Sequence, residues 1–394
     1  MPRFEPFPGI RYAPALDLAL VTSPPYDVID AAERDALASS HLANAVHVDC
    51  PVGDLGSGRA ATAGASDPAA DPYAEAAHVL DTWRDEGTLV TDESPSFTLY
   101  RMSFTDEAGE VRSTTGVLGA LTLAQPGEGD ILPHERTTPK AKSDRLDLLR
   151  ATRANLSPIW GLSLAGGLTG LLEPPGAPMG DFVDPDGVRH QAWRLDDPVA
   201  CRAITAAVAS APVVIADGHH RFETSLAYRN EAPAELSGAD ATLCLLVELV
   251  EEQLTVQAIH RLLDGLPEGF DLPGALGTTY QVERVDRVVP GELGLVTAGA
   301  SYRLRPLVDD ATLDTVRLQE ALATLPPHDL AYQHGVANVV AAVAGGRAQA
   351  GLLLRPVTVA QIAAVADASD RMPPKTTFFW PKPRTGIVFR SLAD

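Results

Sequence analysis

The run Val213-Val214-Ile215-Ala216-Asp217-Gly218-His219-His220-Arg221-Phe222-Glu223-Thr224 constrains this chain more than any other stretch. An uninterrupted apolar segment feeds a glycine and then a polar sequence in which Phe222, Leu226 and Arg229 recur at helical spacing. The pattern reads as buried strand, tight turn, helix. A helix that starts there leaves backbone N–H groups unpaired and pointing outward, with the positive end of its dipole behind them. Gly218 admits a close approach to the backbone, Arg221 adds a bidentate donor, and His219 and His220 stand beside it, so the junction is suited to an anion. Asp217 is the carboxylate next to these groups and can hold a divalent metal such as Mg²⁺ or fix an imidazole tautomer. The plainer alternative is a turn with an N-cap and two surface histidines.

Upstream, Tyr73 to Gly87 has an amphipathic helical pattern, and Phe97 to Thr105 with Val111 to Ala124 reads as an antiparallel hairpin across the turn at Asp106 to Gly109. The second strand leads toward His134-Glu135. Asp144 is then expected to cap a helix sharing Leu148, Leu149 and Thr152 on one face, where Lys142, Arg145, Arg150 and Arg153 make the most basic local stretch. That stretch is either a solvated face or the basic wall of an anion pocket. Downstream, Leu243 to Leu249 and Leu254 to His260 read as a second hairpin ending in His260-Arg261, again either exposed structure or site. The segment Pro373 to Lys382 sets three aromatics and two lysines between prolines, which suits a ligand wall or a sealed core equally.

With 394 residues the chain exceeds what one core ordinarily serves. The expected organisation is a mixed α/β fold: an N-terminal region 1–125 with a flexible insertion at 51–72, a core region 126–265, and a C-terminal α/β region 266–394. A net charge of −21 disfavours a nucleic acid partner, while small anions remain accessible through a local basic pocket. Cys50, Cys201 and Cys244 are widely spaced and read as buried thiols. No apolar run spans a bilayer and no signal-peptide pattern opens the chain, so the expected location is cytoplasmic; self-association into a homo-oligomer is left open.

The motifs of P-loop, Rossmann and zincin enzymes and of Gly-x-Ser-x-Gly hydrolases are absent from the sequence. What remains is a carboxylate on one loop, Glu135, and the corner around Asp217 to Arg221. Phosphoryl transfer needs such parts: donors for the phosphates, a metal, and a carboxylate that orients or deprotonates the attacking hydroxyl.

Asp-Gly-His-His-Arg after a hydrophobic strand resembles the phosphate-binding corner of the ParB/sulfiredoxin-like superfamily, which includes ParB CTPases, sulfiredoxin and archaeal free-serine kinases. In the serine kinases an Ile-Pro-His-Glu segment supplies the catalytic glutamate, and Ile131-Leu132-Pro133-His134-Glu135 precedes the corner here. Four segments also resemble the domain of unknown function 1015 family: Ser23 to Ile29, Leu132 to Thr137 with Lys142 to Arg145, Ala216 to Arg221, and Pro374 to Lys382. These resemblances imply a ParB/sulfiredoxin-like nucleotide-binding core flanked by N- and C-terminal α/β layers. They imply Glu135 as base beside His134, and Asp217 as a catalytic and Mg²⁺-binding carboxylate. Gly218, His219, His220, Arg221, Arg145, Lys142 and Arg261 would bind the nucleotide, ATP or ADP, and free L-serine or a similar hydroxylated metabolite would be the acceptor. Some 80 residues separate the two motifs, more than in the compact serine kinases, which points to a different acceptor pocket. Two other readings stay open: a nucleotide-binding switch without an acceptor, and a metal-dependent hydrolase using His134, His219, His220 and His260.

Overall fold

The computed structural model describes residues 1–51, 71–106, 109–125, 128, 130–133, 142–308, 310–368 and 371–393. The expected insertion at 51–72 and the His134-Glu135 segment therefore lie almost wholly or wholly outside the described residues. The fold is mixed α/β and divides into two compact units. One is built from the described residues through Leu254 together with Pro381 onward, the other from Thr255–Trp380.

The first unit is organised on a nine-stranded mixed sheet. From one edge its strands run Ile131–Pro133, Val213–Asp217, Ile159–Ser163, Ala241–Glu248, Val111–Thr122, Phe97–Thr105, Arg189–Leu195 and Gly180–Val183, with Phe4–Glu5 on a side branch against Val111–Thr122. The central members are apolar almost throughout and buried on both faces. Val213, Ile215, Ile159 and Leu246 pack with Ile204 of the Pro198–Ala209 helix and Phe222 of the His219–Glu231 helix. Pro198 sits in the first turn of its helix, where a missing N–H costs nothing, and the Asp197 side chain accepts from the Ala200 N–H. A four-stranded sheet orders Leu89–Thr91, Gly9–Tyr12, Phe389–Ser391 and Ala154–Asn155, so the chain's last strand lies between two early ones.

The second unit carries its own sheet, in the order Tyr280–Val285, Ser301–Pro306, Gly294–Thr297, Ala350–Leu353, Thr255–Asp264 and Asp329–His334, with Thr377–Trp380 paired to Thr255–Asp264. Its core gathers Leu263, Leu295, Leu352, Leu318 and Tyr280.

Several expectations change. The helix at Tyr73 and the hairpin of Phe97–Thr105 with Val111–Thr122 form as read. The second expected hairpin does not: Ala241–Glu248 pairs with Val111–Thr122 and Ile159–Ser163, whereas Thr255–Asp264 pairs with strands of the other unit. Two adjacent apolar strands carry no local signal that tells pairing with each other from pairing with distant partners. His260 and Arg261 accordingly lie within a strand, not at a hairpin end. The expected boundary at 125/126 falls within the first unit, whose sheet draws strands from both sides of it. The Lys142–Thr152 helix begins before Asp144, which stands in its first turn instead of capping it. All three cysteines are free and buried, as read. Among the described residues no helix is long and apolar enough to cross a membrane.

Candidate functional site

Val213 to Ile215 are fully buried, and the strand meets Ile159–Ser163 with a register shift between Ile215 and Asp217. A bulge of this kind re-aims the side chain that follows it, here Asp217. Gly218 then takes φ 79° and ψ 28°, the left-handed conformation that glycine adopts without a Cβ penalty. The helix begins at His219 with no side-chain cap, so no side chain closes off the first-turn N–H groups from the N-cap position. Val213–Ile215 runs parallel to Ile131–Pro133, with Ile215 opposite Pro133. Both strands therefore run out at the same end of the sheet.

Asp217 is held by two cations. Lys382 Nζ donates to its Oδ1, and Arg221 Nη2 donates to its Oδ2 at 3.1 Å. Burial alone would raise this carboxyl's pKa, but Lys382 and Arg221 outweigh that and hold it down at about 2. Arg221 also donates through Nη1 to the Pro158 carbonyl and lies 3.8 Å from an Asp27 carboxylate oxygen. Its guanidinium is 5.8 Å from the Tyr26 ring centroid, and the Arg145 guanidinium is 4.0 Å from the same ring. Arg145 Nε donates to Asp144 at 2.7 Å and Nη1 to the Asp49 carbonyl at 2.6 Å. The Asp49 carboxylate accepts from Ser157 and Thr385 hydroxyls at 3.2 and 3.1 Å. Burial disfavours the charge on both arginines, and the surrounding carboxylates more than offset it.

The structure thus brings Asp217, Gly218, His219, His220 and Arg221 to one corner and carries Arg145 to it through Tyr26. His219 and His220 are half-buried. Arg221, expected as a bidentate donor to an anion, is only 8% exposed: it folds back toward the strand end and the Pro158 carbonyl. The basic stretch after Lys142 is likewise not one solvated face, since Arg145 is buried while Arg150 is exposed and paired to Glu231 and Asp147. His134, Glu135 and the Lys142 side chain lie outside the described residues. Arg261 belongs to the second unit, where it donates to the Ile259 and Lys375 carbonyls at 2.6 and 3.0 Å and lies 4.6 Å from the Tyr332 ring. Beside it, His260 accepts from the Leu354 N–H at 3.2 Å, and burial, then His334, lowers its pKa to about 4, so it is neutral at pH 7.

Sequence reasoning did not assign Lys382, Tyr26, Asp27 or Asp49. The first three sit in segments that drew attention by resemblance, so a signal existed; Asp49, on the Val46–Asp49 turn between apolar neighbours, offered none. Asp217 has both oxygens engaged by cations, and among the described residues no group of three His, Cys, Asp or Glu side chains gathers to hold a metal.

A family model described as "Protein of unknown function (DUF1015)" matches residues 4–325. No curated protein matches the sequence. Solved structures with a similar chain path include a free serine kinase in complex with AMP, 12% identical with a TM-score of 0.38 over 66% of this chain and 89% of that one. They also include SbnI with a C-terminal truncation from Staphylococcus aureus, 12% identical with a TM-score of 0.42 over 70% of this chain and 88% of that one. A conserved hypothetical protein from Pyrococcus furiosus is 13% identical with a TM-score of 0.35 over 64% of this chain and 88% of that one.

Proposed function

The chain belongs to the DUF1015 family, whose description assigns no activity, and from the geometry of its corner we propose that it is a nucleotide-dependent kinase acting on a small hydroxylated metabolite. One observation carries this reading: the parallel strands Ile131–Pro133 and Val213–Asp217 run side by side and finish at the same end of the sheet, where the Asp217 to Arg221 corner begins. In α/β sheets ligands bind outside the carboxyl ends of such strands.

Each residue then has a task. The uncapped helix start at His219 presents N–H groups and a positive dipole end to phosphate oxygens, with Gly218 keeping a side chain out of the way. His219 and His220 line the approach. Lys382 and Arg221 supply positive charge; a polyphosphate competes with Asp217 for the Lys382 ammonium, so nucleotide binding is linked to the state of that pair. A Mg²⁺ ion would enter with the nucleotide's phosphates and compete with Lys382 and Arg221 for the Asp217 oxygens. Glu135 is our proposed base, and the motif resemblance to serine kinases favours free L-serine or a similar alcohol as acceptor, a role that belongs in the cytoplasm.

The test is a thermal-shift panel of ATP, ADP, CTP and GTP with Mg²⁺, followed by mass spectrometry for phosphate transfer to amino acids and sugars. Glu135→Gln should bind nucleotide as wild type does and lose roughly 10² to 10⁴ in rate. A protein that binds nucleotide and phosphorylates nothing is a switch; one that binds none removes the corner from consideration.

A further inference from the structure

A pocket of about 50 Å³ in the first unit is lined by Asp49, Arg145, Asn155, Ser157, Arg221 and Thr224, with leucines completing its wall. Among the described residues, three that line it each carry a buried polar atom without a hydrogen-bond partner: Arg145 Nη2, Arg221 Nε and Thr224 Oγ1. Their side chains are 5%, 8% and 4% exposed, so water from the bulk does not serve them. Orphans of this kind call for an explanation in native proteins, and although the described residues hold others elsewhere, these three belong to residues that line one pocket. Guanidinium nitrogens only donate, so whatever satisfies them must accept. The Asp49 carboxylate on the wall already accepts from Ser157 and Thr385. Two guanidinium groups and one carboxylate, Asp49, belong to the lining, and the Asp144, Asp217 and Asp27 carboxylates lie beside the same guanidinium groups.

We propose that this pocket is a binding site for a small inorganic anion of the size of chloride, nitrate or bicarbonate. The volume exceeds several-fold the roughly 10–15 Å³ that a single water requires. Tyr26, with Arg145 at 4.0 Å and Arg221 at 5.8 Å from its ring, packs against both guanidinium groups. The pair Arg145 and Arg221 would clasp the anion with Nη2 and Nε, and the Thr224 hydroxyl would donate the third bond. The site is independent of the nucleotide reading, although Arg221 touches both Asp217 and this pocket, so anion occupancy fixes the arginine that also holds the corner carboxylate.

The experiment is thermal unfolding of the full chain, without nucleotide, at constant ionic strength, replacing sodium gluconate stepwise by sodium chloride, nitrate or bicarbonate. Gluconate is too large to enter. The midpoint should rise by a few degrees and saturate with the small anions. Thr224→Val, which keeps shape and removes the hydroxyl, should weaken the apparent anion affinity at least tenfold, and Arg145→Met should abolish the effect. Should Arg145→Met fail to fold, Thr224→Val decides alone. A crystal soaked in bromide should show anomalous scattering in the pocket. A midpoint indifferent to anion identity, or a saturable rise unchanged in Thr224→Val, overturns the proposal and leaves the pocket to water.

Discussion

Asp217 draws one of its two cations from four residues away and the other from 165 residues away, and the two ought to behave differently when removed. Arg221 is buried against the Pro158 carbonyl, Asp217 and Asp27, so Arg221→Ala should lose ~3–5 kcal/mol of stability, as when one partner of a buried pair is deleted. Urea denaturation measures it; a loss under ~1 kcal/mol would contradict the geometry. Nucleotide titration of that variant alone is therefore a poor test of the corner. Lys382→Met should cost less, about 2 kcal/mol, because the Asp217 side chain is 21% exposed and keeps Arg221. The pH dependence has a definite sign. Asp217 has a folded pKa of about 2 against a reference of 3.8, so its contribution is complete above about pH 4 and is lost as pH falls toward 2. Lys382→Met raises the folded pKa, so stability measured between pH 2 and 4 should fall less steeply than in wild type. The Asp217–Arg221 pair was legible in the sequence because both residues share one strand–turn–helix word. Lys382 was not, because only the tertiary path brings it to the corner.

At the scale of elements, the turn itself is the constraint. Gly218 sits at φ 79°, and a Cβ there would meet the Ile159 Cα and Arg221 Nε at 3.1 Å each. Gly218→Ala should therefore cost ~1–2 kcal/mol for the left-handed backbone, plus whatever the contact with Ile159 backbone adds. Thermal denaturation is the readout, and a neutral substitution would mean that the turn is not left-handed. Strand, turn and helix were all readable here because glycine, apolar run and helical spacing agree. The apolar strands Ala241–Glu248 and Thr255–Asp264 show the opposite case. Each was recognisable alone, but adjacency in sequence suggested a hairpin, and partner choice was made by Val111–Thr122 and Ile159–Ser163 on one side and by Asp329–His334 and Ala350–Leu353 on the other. A single sequence carries little record of such distant pairing.

For the whole molecule, the division at Leu254 and at Pro381 follows from each unit having its own sheet and core. The segment Thr255–Trp380 buries Leu263, Leu295, Leu318 and Leu352 within itself, so it should fold when produced alone and melt in one cooperative transition by circular dichroism. A broad, uncooperative melt would show that its core is not self-sufficient. The sequence hinted at several substructures but not at this nesting, since composition does not change where the chain leaves the first unit or where it re-enters. The re-entry also has a consequence for synthesis on the ribosome. Phe389–Ser391 lies between Gly9–Tyr12 and Ala154–Asn155, and Lys382 reaches Asp217 from the same late segment. Domains tend to fold from the N-terminus as they emerge, but this one must wait with its smaller sheet parted and its corner carboxylate lacking Lys382 until residues beyond 380 have been translated. A translation product stalled before that point lacks both the missing strand and the lysine, so the charged corner is assembled only on chains whose synthesis has passed Ser391.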